Sequence, residues 1–199
     1  MLDFPTDADA LIFDLDGTLA DTMPVHFVAW TEITRAHDLD FPEDRFYAMG
    51  GMPSVQILDQ LIAEAGFGPE THDSTKLAED KEAAFARHIH AVRPVEAVVA
   101  VARAARNRGV PVGVATGGYR HIAEPTLDQL GIRDWFGCLV TAEDTAEHKP
   151  HPAPYLEAAR RLGVEPARCV AYEDADLGLR SIEAAGMRAV DIRPCLPTR

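Results

Sequence analysis

The second half of the chain repeats one pattern of polar and apolar positions four times. Each time, a helix-forming stretch ends at a glycine, and a short apolar run follows within a few residues. Glycine is the preferred residue at the left-handed position that ends a helix. Short apolar runs between helices are typical of parallel strands buried on both faces. The pattern predicts helices over 97–108, 123–130, 155–162 and 177–185, and strands over 112–115, 138–140, 169–172 and 189–192.

A further apolar run, Ala10-Leu11-Ile12-Phe13, precedes these units and adds a fifth strand near the start of the chain. Strands that alternate with helices predict an α/β fold built on a parallel sheet. In open sheets of this kind, ligands bind at the carboxyl ends of the strands. We therefore look for functional residues directly after each predicted strand.

The segment between the first strand and the repeating units has a different pattern. Apolar residues recur at helical spacing over 25–37, 55–65 and 77–89, with loop residues between them. The chain thus predicts a core domain of residues 1–19 and 94–199, with an all-helical domain of residues 20–93 inserted after strand one. We expect this insert to lie over the site, with hinges near Ala20 and Arg93.

Composition narrows the classes of partner. The 199 residues include 32 Asp and Glu against 19 Lys and Arg, a formal net charge of −13. This acidic balance argues against nucleic-acid partners and against anionic membranes. Residues 1–9 carry three aspartates and no Lys or Arg, which is the wrong charge for a secretory signal. We expect a cytoplasmic monomer. Its three cysteines are odd in number and lack CxxC spacing, so we expect reduced thiols and neither a disulfide framework nor a metal site built on sulfur.

Polar and charged residues follow four of the predicted strands. Carboxylates come after the first and fourth strands, a hydroxyl with glycines after the second, and a lysine after the third. A parallel sheet would gather donors for a hard divalent cation, donors for an anion and one positive charge at one edge. The residues are Asp14 and Asp16, Thr116 and Gly117, Lys149, and Glu173 and Asp174.

These motifs, in this order, resemble those of the haloacid-dehalogenase-like hydrolases, and in particular the β-phosphoglucomutase-like branch with a helical cap. The segment 14–18, Asp-Leu-Asp-Gly-Thr, is similar to the first motif of that family, and the three later motifs follow at Thr116, Lys149 and Glu173-Asp174. The resemblance spans nearly the whole chain. It implies a three-layer Rossmann-like core with a parallel sheet and an inserted helical cap.

The resemblance also implies a mechanism for these residues. Asp14 would be the nucleophile that forms an aspartyl-phosphate, and Asp16 the general acid and base. Mg²⁺ would be held by the Asp14 carboxylate, the Asp16 backbone carbonyl and the Asp174 side chain, with Glu173 acting directly or through water. The phosphoryl oxygens would be held by Thr116, the Gly117 N–H and Lys149.

The inserted helices are expected to select the substrate. His26 and Lys81 fall where the phosphoglucomutase-like branch has functional cap residues. In phosphoglucomutases, an arginine in the cap loop near 50–52 helps to bind the second phosphate of a bisphosphate. Here, residues 52–55 read Met-Pro-Ser-Val, without arginine. The cap loop and segment 172–178 also resemble bacterial phosphatases that act on fructose 1-phosphate and related sugar phosphates.

The leading hypothesis is a Mg²⁺-dependent phosphatase of small phosphorylated metabolites, chiefly sugar monophosphates. A hexose-phosphate mutase is the main alternative, and the missing arginine counts against it. A dehalogenase would not need Asp16, and a phosphonate hydrolase would use Lys81 or Lys76 as a Schiff base. A receiver-type phosphoacceptor domain is the non-enzymatic alternative, against which the Gly-Thr after the acidic pair and the helical insert both argue.

Overall fold

The computed structural model describes residues 2, 4–49 and 52–196, and the chain divides into two compact units. One unit comprises Met1–Thr22 and Val92–Arg199, and the other comprises Met23–Ala91. The limits set from the sequence, 1–19 and 94–199 for the core, lie a few residues inside the larger unit. Gly50 and Gly51, part of the loop compared with phosphoglucomutases, lie outside the described residues.

Among the described residues, the strands all lie in the larger unit, and the smaller unit is helical. The strands are β1 (Ala10–Phe13), β2 (Ala20–Asp21), β3 (Arg93–Pro94), β4 (Val112–Ala115), β5 (Cys138–Val140), β6 (Cys169–Glu173) and β7 (Arg188–Asp191). The helices are α1 (Met23–Ala36), α2 (Glu43–Ala48), α3 (Ser54–Glu64), α4 (Ser74–His88), α5 (Glu96–Asn107), α6 (Arg120–Gln129), α7 (Ala153–Leu162) and α8 (Asp176–Ala184).

Five strands form one sheet in the order β5-β4-β1-β6-β7, and every neighbouring pair is parallel. The predicted parallel sheet is therefore confirmed. In β1, Ala10 and Ile12 pack on one face against α7 and α8, while Leu11 and Phe13 alternate to the other face and are also fully buried. Burial on both faces explains why these strands read as continuous apolar runs.

The strand directions bring one set of chain positions to a single edge. Because all five strands run the same way, the residues that follow β1, β4 and β6 lie at the same carboxyl edge. The central position of β1 places Asp14 between Thr116, which follows β4, and Glu173, which ends β6. Sheet order alone thus gathers residues that are far apart in the sequence.

The short elements β2, β3 and α2 were not predicted. Strands β2 and β3 pair antiparallel, Ala20 with Pro94 and Asp21 with Arg93, at the two connections that were expected to be hinges. Helix α2 lies between the predicted helices 25–37 and 55–65, where no helix was predicted. Elements of two to six residues are too short to show a period of 2 or 3.6, so the hydrophobic pattern could not reveal them. The hinge role itself stays a prediction.

The helical unit has its own aromatic core. The ring of Trp30 in α1 packs edge-on against Phe41, with 5.1 Å between centroids, and Phe41 in turn contacts Phe46. The apolar stripes of α3 and α4 bury Leu58 and Phe85 completely. Across the residues that the structure describes, no helix has the length and apolarity needed to cross a membrane.

A carboxylate network ties α6, β5 and α7 together in the larger unit. Asp144 accepts hydrogen bonds from the Thr141 backbone at 2.8 Å, from Arg120 at 2.6 Å and from Arg161 at 2.7 Å. Burial alone would raise the pKa of Asp144, but the hydrogen bonds from Arg161 and Thr141 outweigh it and lower that pKa to about 2. The ionised form of Asp144 therefore stabilises the fold.

Replacing this charge should destabilise the protein in a pH-dependent way. We expect Asp144→Asn to lower the free energy of unfolding by about 1–3 kcal/mol at neutral pH, because hydrogen bonds to a charged acceptor are lost. Asp144 stabilises above its ordinary pKa of 3.8, and this effect is lost as the pH falls through the folded value of about 2. The deficit of the variant should therefore shrink towards low pH.

Chemical denaturation over a pH series measures this deficit. The matched control is Asp128→Asn, which removes an exposed carboxylate bonded to Arg133 and should change stability by less than about 0.5 kcal/mol. An Asp144→Asn deficit that is equal at neutral and low pH would contradict the prediction.

Candidate active site

The site begins where β1 ends. The Asp14 backbone N–H donates to the Tyr172 carbonyl at 3.0 Å, which continues the pairing of β1 with β6 and fixes the start of the side chain. The Asp14 side chain is only 8% exposed. Burying a charged carboxylate costs free energy unless a positive group or hydrogen-bond donors compensate for the lost hydration, so we look for such partners around Asp14.

Lys149 supplies that partner. Its ammonium Nζ lies 2.6 Å from Asp14 Oδ1 and 2.7 Å from Glu173 Oε1, and so joins the carboxylates that follow β1 and end β6. The same Nζ lies 5.1 Å from the ring centroid of Tyr155, within the range of a cation–π contact. One positive charge is thereby shared between two buried negative groups.

Both carboxylate oxygens of Glu173 accept hydrogen bonds. Oε2 accepts from the backbone N–H groups of Asp174 at 2.8 Å and Ala175 at 2.7 Å, and Oε1 accepts from the Tyr155 hydroxyl at 3.4 Å as well as from Lys149. Glu173 therefore holds the loop after β6 in place. Gly178 in α8 packs so closely that a Cβ there would overlap the Glu173 carboxylate.

Asp174 is held from the side of the first motif. Its Oδ1 accepts a hydrogen bond of 2.8 Å from Thr18 Oγ1, and its Oδ2 lies against Gly17. Gly17 has a φ of +86°, and a Cβ at this position would overlap the Asp174 carboxylate. The Gly-Thr pair of the first motif thus positions an acid that lies 156 residues further along the chain.

These acids form a compact group of oxygen donors. One carboxylate oxygen from each of Asp14, Glu173 and Asp174 lies within 4.8 Å of the others. Burial raises the pKa of Asp14 well above its usual range, and it raises the pKa of Asp174 to about 6, with the neighbouring carboxylates adding to both effects. Although burial opposes it, the charges of Asp14 and Glu173 raise the pKa of Lys149, so the lysine keeps its proton.

This charge balance fits a bound cation. Three crowded carboxylates have one ammonium among them, which contacts only two, and all of their donor atoms are hard oxygens of the kind that Mg²⁺ and Ca²⁺ prefer. Desolvation makes each uncompensated negative charge costly. A divalent cation would supply the missing positive charge, so the residues present suit a metal.

A second group lies on the β4 side of Asp16. Thr116 Oγ1 is 3.4 Å from Asp16 Oδ2, and it accepts a hydrogen bond of 2.9 Å from the Gly118 N–H. Gly117 between them is exposed, with no side chain to block its backbone. The structure therefore brings Thr116 beside one of the two acids of the first motif.

In the helical unit, His26 and Lys81 contact each other. Lys81 Nζ lies 3.0 Å from His26 Nδ1 and 2.9 Å from Glu82 Oε1, and it is 5.6 Å from the ring centroid of Trp30. Lys81 is only 4% exposed. The His26 ring stacks on Phe85 with 4.1 Å between centroids. A buried, hydrogen-bonded lysine is unusual, so this pair is more than a solvated surface feature.

Sequence reasoning did not single out two residues of the site. Tyr155 contacts both Glu173 and Lys149, and Thr18 anchors Asp174. Thr18 belongs to the first motif, which could have suggested a role. Tyr155 follows Lys149 within a helix whose apolar face reads as core, so only the tertiary structure reveals its hydroxyl contact.

Comparison with known proteins agrees with this architecture. The family model for haloacid dehalogenase-like hydrolases matches residues 8–186. The chain is 38% identical to the fructose-1-phosphate phosphatase YqaB of Escherichia coli, covering 92% of this chain and 95% of that protein. It is 31% identical to the β-phosphoglucomutase of Bacillus subtilis, covering 92% and 82%. A crystal structure of β-phosphoglucomutase from Clostridium difficile matches with a TM-score of 0.77 at 26% identity, covering 92% and 84%.

The close packing of Gly178 against Glu173 should contribute to the stability of the protein. Alanine normally stabilises a helix relative to glycine by about 1 kcal/mol. We expect Gly178→Ala instead to lower the free energy of unfolding by about 1–3 kcal/mol, because its methyl group would displace Glu173 from its hydrogen bonds. Thermal and denaturant unfolding measure this difference.

Gly117→Ala is the matched control, because a Cβ at Gly117 meets nothing within 4 Å. We expect it to unfold like the parent protein. If Gly178→Ala were as stable as the parent or more stable, the packing argument for Glu173 would be wrong.

Proposed function

The chain belongs to the haloacid dehalogenase-like hydrolases and is an enzyme of phosphate monoesters; we propose that it is a Mg²⁺-dependent phosphatase of sugar monophosphates. The observation that supports this best is the placement of Asp14. A buried carboxylate lies 2.6 Å from a protonated lysine, at the strand edge that also carries Asp16 and Thr116. Phosphoryl transfer requires such an arrangement of nucleophile, proton donor and positive charge.

Asp14 is the nucleophile in this proposal. One of its carboxylate oxygens attacks phosphorus, the bond from phosphorus to the ester oxygen breaks, and an aspartyl-phosphate forms. A water molecule then attacks this intermediate, the bond to the Asp14 oxygen breaks, and inorganic phosphate leaves. Splitting the reaction in two replaces one difficult step by two easier ones.

Asp16 moves the proton in both steps. It gives a proton to the ester oxygen as the alcohol leaves, and it takes a proton from the water that attacks the intermediate. Its position beside Thr116 Oγ1, 3.4 Å away, supports this role because Thr116 is proposed to hold a phosphoryl oxygen. A group that binds the phosphoryl oxygens and a group that transfers the proton must lie side by side.

Three groups would bind the phosphoryl oxygens. Thr116 offers its hydroxyl, Gly117 offers its exposed backbone N–H, and Lys149 offers its charge. Lys149 already touches the carboxylate proposed as nucleophile, so its ammonium can follow negative charge as it moves from Asp14 to the phosphoryl group. Such fixed donors stabilise the charge that develops in the transition state.

The proposed Mg²⁺ would be held by the carboxylates of Asp14 and Asp174 and by the Asp16 backbone carbonyl. When bound, the metal offsets the repulsion between the substrate dianion and the Asp14 carboxylate. We propose that Glu173 is not a direct ligand of the metal, because both of the Glu173 carboxylate oxygens already accept hydrogen bonds from the protein. Thr18 and Glu173 then orient Asp174, which would be the direct ligand.

The substrate proposal draws on the helical unit and on the relatives. The buried Lys81 and the half-buried His26 form one hydrogen-bonded pair, which supports a shared role in substrate selection within the cap that the family implies. The name of the E. coli relative assigns it to fructose 1-phosphate, and we propose a sugar monophosphate of this kind as the substrate here.

Three free cysteines, two of them buried, support a place in the reducing cytoplasm, where we propose that the protein is a monomer.

A hexose-phosphate mutase remains the second candidate, because the B. subtilis relative carries that name at 31% identity. A mutase passes the phosphoryl group back to the sugar and releases no net phosphate, whereas a phosphatase releases one phosphate for each sugar. Incubation with glucose 1-phosphate and a bisphosphate primer, followed by assays for glucose 6-phosphate and free phosphate, separates the two.

Replacing the proposed nucleophile tests the mechanism. We expect Asp14→Asn to lower the turnover of fructose 1-phosphate with Mg²⁺ by at least about a thousandfold, because an amide oxygen is a poor nucleophile. Phosphate release is the measurement, and circular dichroism checks the fold. The control is Asp9→Asn, an exposed aspartate paired with Arg168 before β1, which should keep parental activity. Parental turnover by Asp14→Asn would contradict the proposal.

A further inference from the structure

One exposed aromatic side chain directly follows a segment that lies against Asp16. Tyr119 follows the Thr116-Gly117-Gly118 segment after β4, and 53% of its surface is exposed. Burying a large aromatic side chain against a ligand lowers the free energy. An exposed aromatic residue near a reactive group is therefore a candidate contact for substrate.

The backbone on both sides of Tyr119 is anchored. The Gly118 carbonyl accepts a hydrogen bond of 3.0 Å from the Ala142 N–H. The Arg120 N–H donates to both carboxylate oxygens of Glu143, each at 3.1 Å. The ring therefore projects from a fixed base, which lowers the entropy lost when it binds a partner.

The residue before Tyr119 lies against Asp16. A Cβ built on Gly118 would be 3.4 Å from Asp16 Oδ2 and 3.3 Å from Thr116 Oγ1. The Cα atom of Tyr119 is about 3.8 Å further along the chain. Because Asp16 is proposed to protonate the departing oxygen, the leaving alcohol must lie next to this segment. Tyr119 thus directly follows the segment that would border the leaving group.

His121 extends the aromatic surface. Its ring lies 5.8 Å from that of Tyr119, with 23° between the planes, and the residue is exposed. The pair offers a flat face for the C–H groups of a ring and imidazole nitrogens for hydroxyls. This combination suits a carbohydrate better than a purely apolar group.

The nearest cation in the sequence is already paired. The Arg120 guanidinium donates to Asp144 Oδ2 at 2.6 Å and to Glu124 Oε1 at 3.5 Å. Its charge is balanced by two carboxylates, so it adds little attraction for a second phosphate. The surroundings of Tyr119 therefore favour an uncharged leaving group.

We propose that Tyr119, with His121 beside it, is a specificity-determining platform on which the ring of the leaving sugar stacks. This inference rests on the proposed phosphatase function and specifies its substrates as monoesters of cyclic, uncharged polyols. The contact is made by the substrate as well as by the transition state, so it acts mainly on KM.

Two substrates with the same phosphoryl group and different leaving groups test the platform. Fructose 1-phosphate carries a sugar ring, and acetyl phosphate carries none. We expect Tyr119→Ala to lower kcat/KM for fructose 1-phosphate by about three- to tenfold through KM, and to leave acetyl phosphate unchanged. Tyr119→Phe should keep near-parental values for both substrates, because the stacking face remains.

The control is Phe4→Ala, which removes an aromatic ring stacked on Arg108 in the segment before β1, and it should change neither substrate. An unchanged ratio of the two kcat/KM values in Tyr119→Ala, or an equal loss in Tyr119→Phe, would overturn the platform. If the parent protein hydrolysed neither substrate, the proposed function would fail instead. Turnover of acetyl phosphate alone would refute the sugar substrate and the platform together.

Discussion

The structure of the site depends on one ion pair network, in which the Lys149 ammonium lies between the carboxylates of Asp14 and Glu173. These groups come from three separate segments, and only the parallel sheet brings them to one edge. Removing a charge from a buried network leaves the others uncompensated, which costs several kcal/mol in typical proteins. Tyr155 and Gly178, which pack around the network, matter because they fix this geometry.

The network is also short of positive charge. Asp14 and Asp174 have raised pKa values because burial and neighbouring carboxylates disfavour their ionised forms. The net charge of −13 disfavours binding to nucleic acid and to anionic membranes. Part of this negative charge lies at the ends of β1 and β6, where it favours a divalent cation. With such a cation and Lys149, the local charge can favour a phosphate dianion despite the acidic protein around it.

Much of this could be predicted from the sequence, because buried strands and their terminal residues are local signals. The apolar runs at 10–13 and 112–115 predicted strands of the sheet, and the acids after the first run and the threonine after the second predicted residues of the site. Contacts between distant segments could not be predicted, because neither the hydrogen bond from Thr18 to Asp174 nor that from Tyr155 to Glu173 produces a local sequence pattern. Lys81 likewise reads as a surface charge on an amphipathic helix, yet tertiary packing buries it beside His26.

The central claim is that the acidic edge binds phosphate only with the help of a divalent cation. Calorimetric titration of inorganic phosphate into the protein, with Mg²⁺ and with a chelator, tests this without relying on turnover. The account predicts measurable binding with Mg²⁺ and at least about a tenfold weaker affinity after chelation, since like charges then face each other. Asp174→Asn should weaken binding in Mg²⁺ to a similar degree. Equal phosphate affinity with and without the metal would contradict the account.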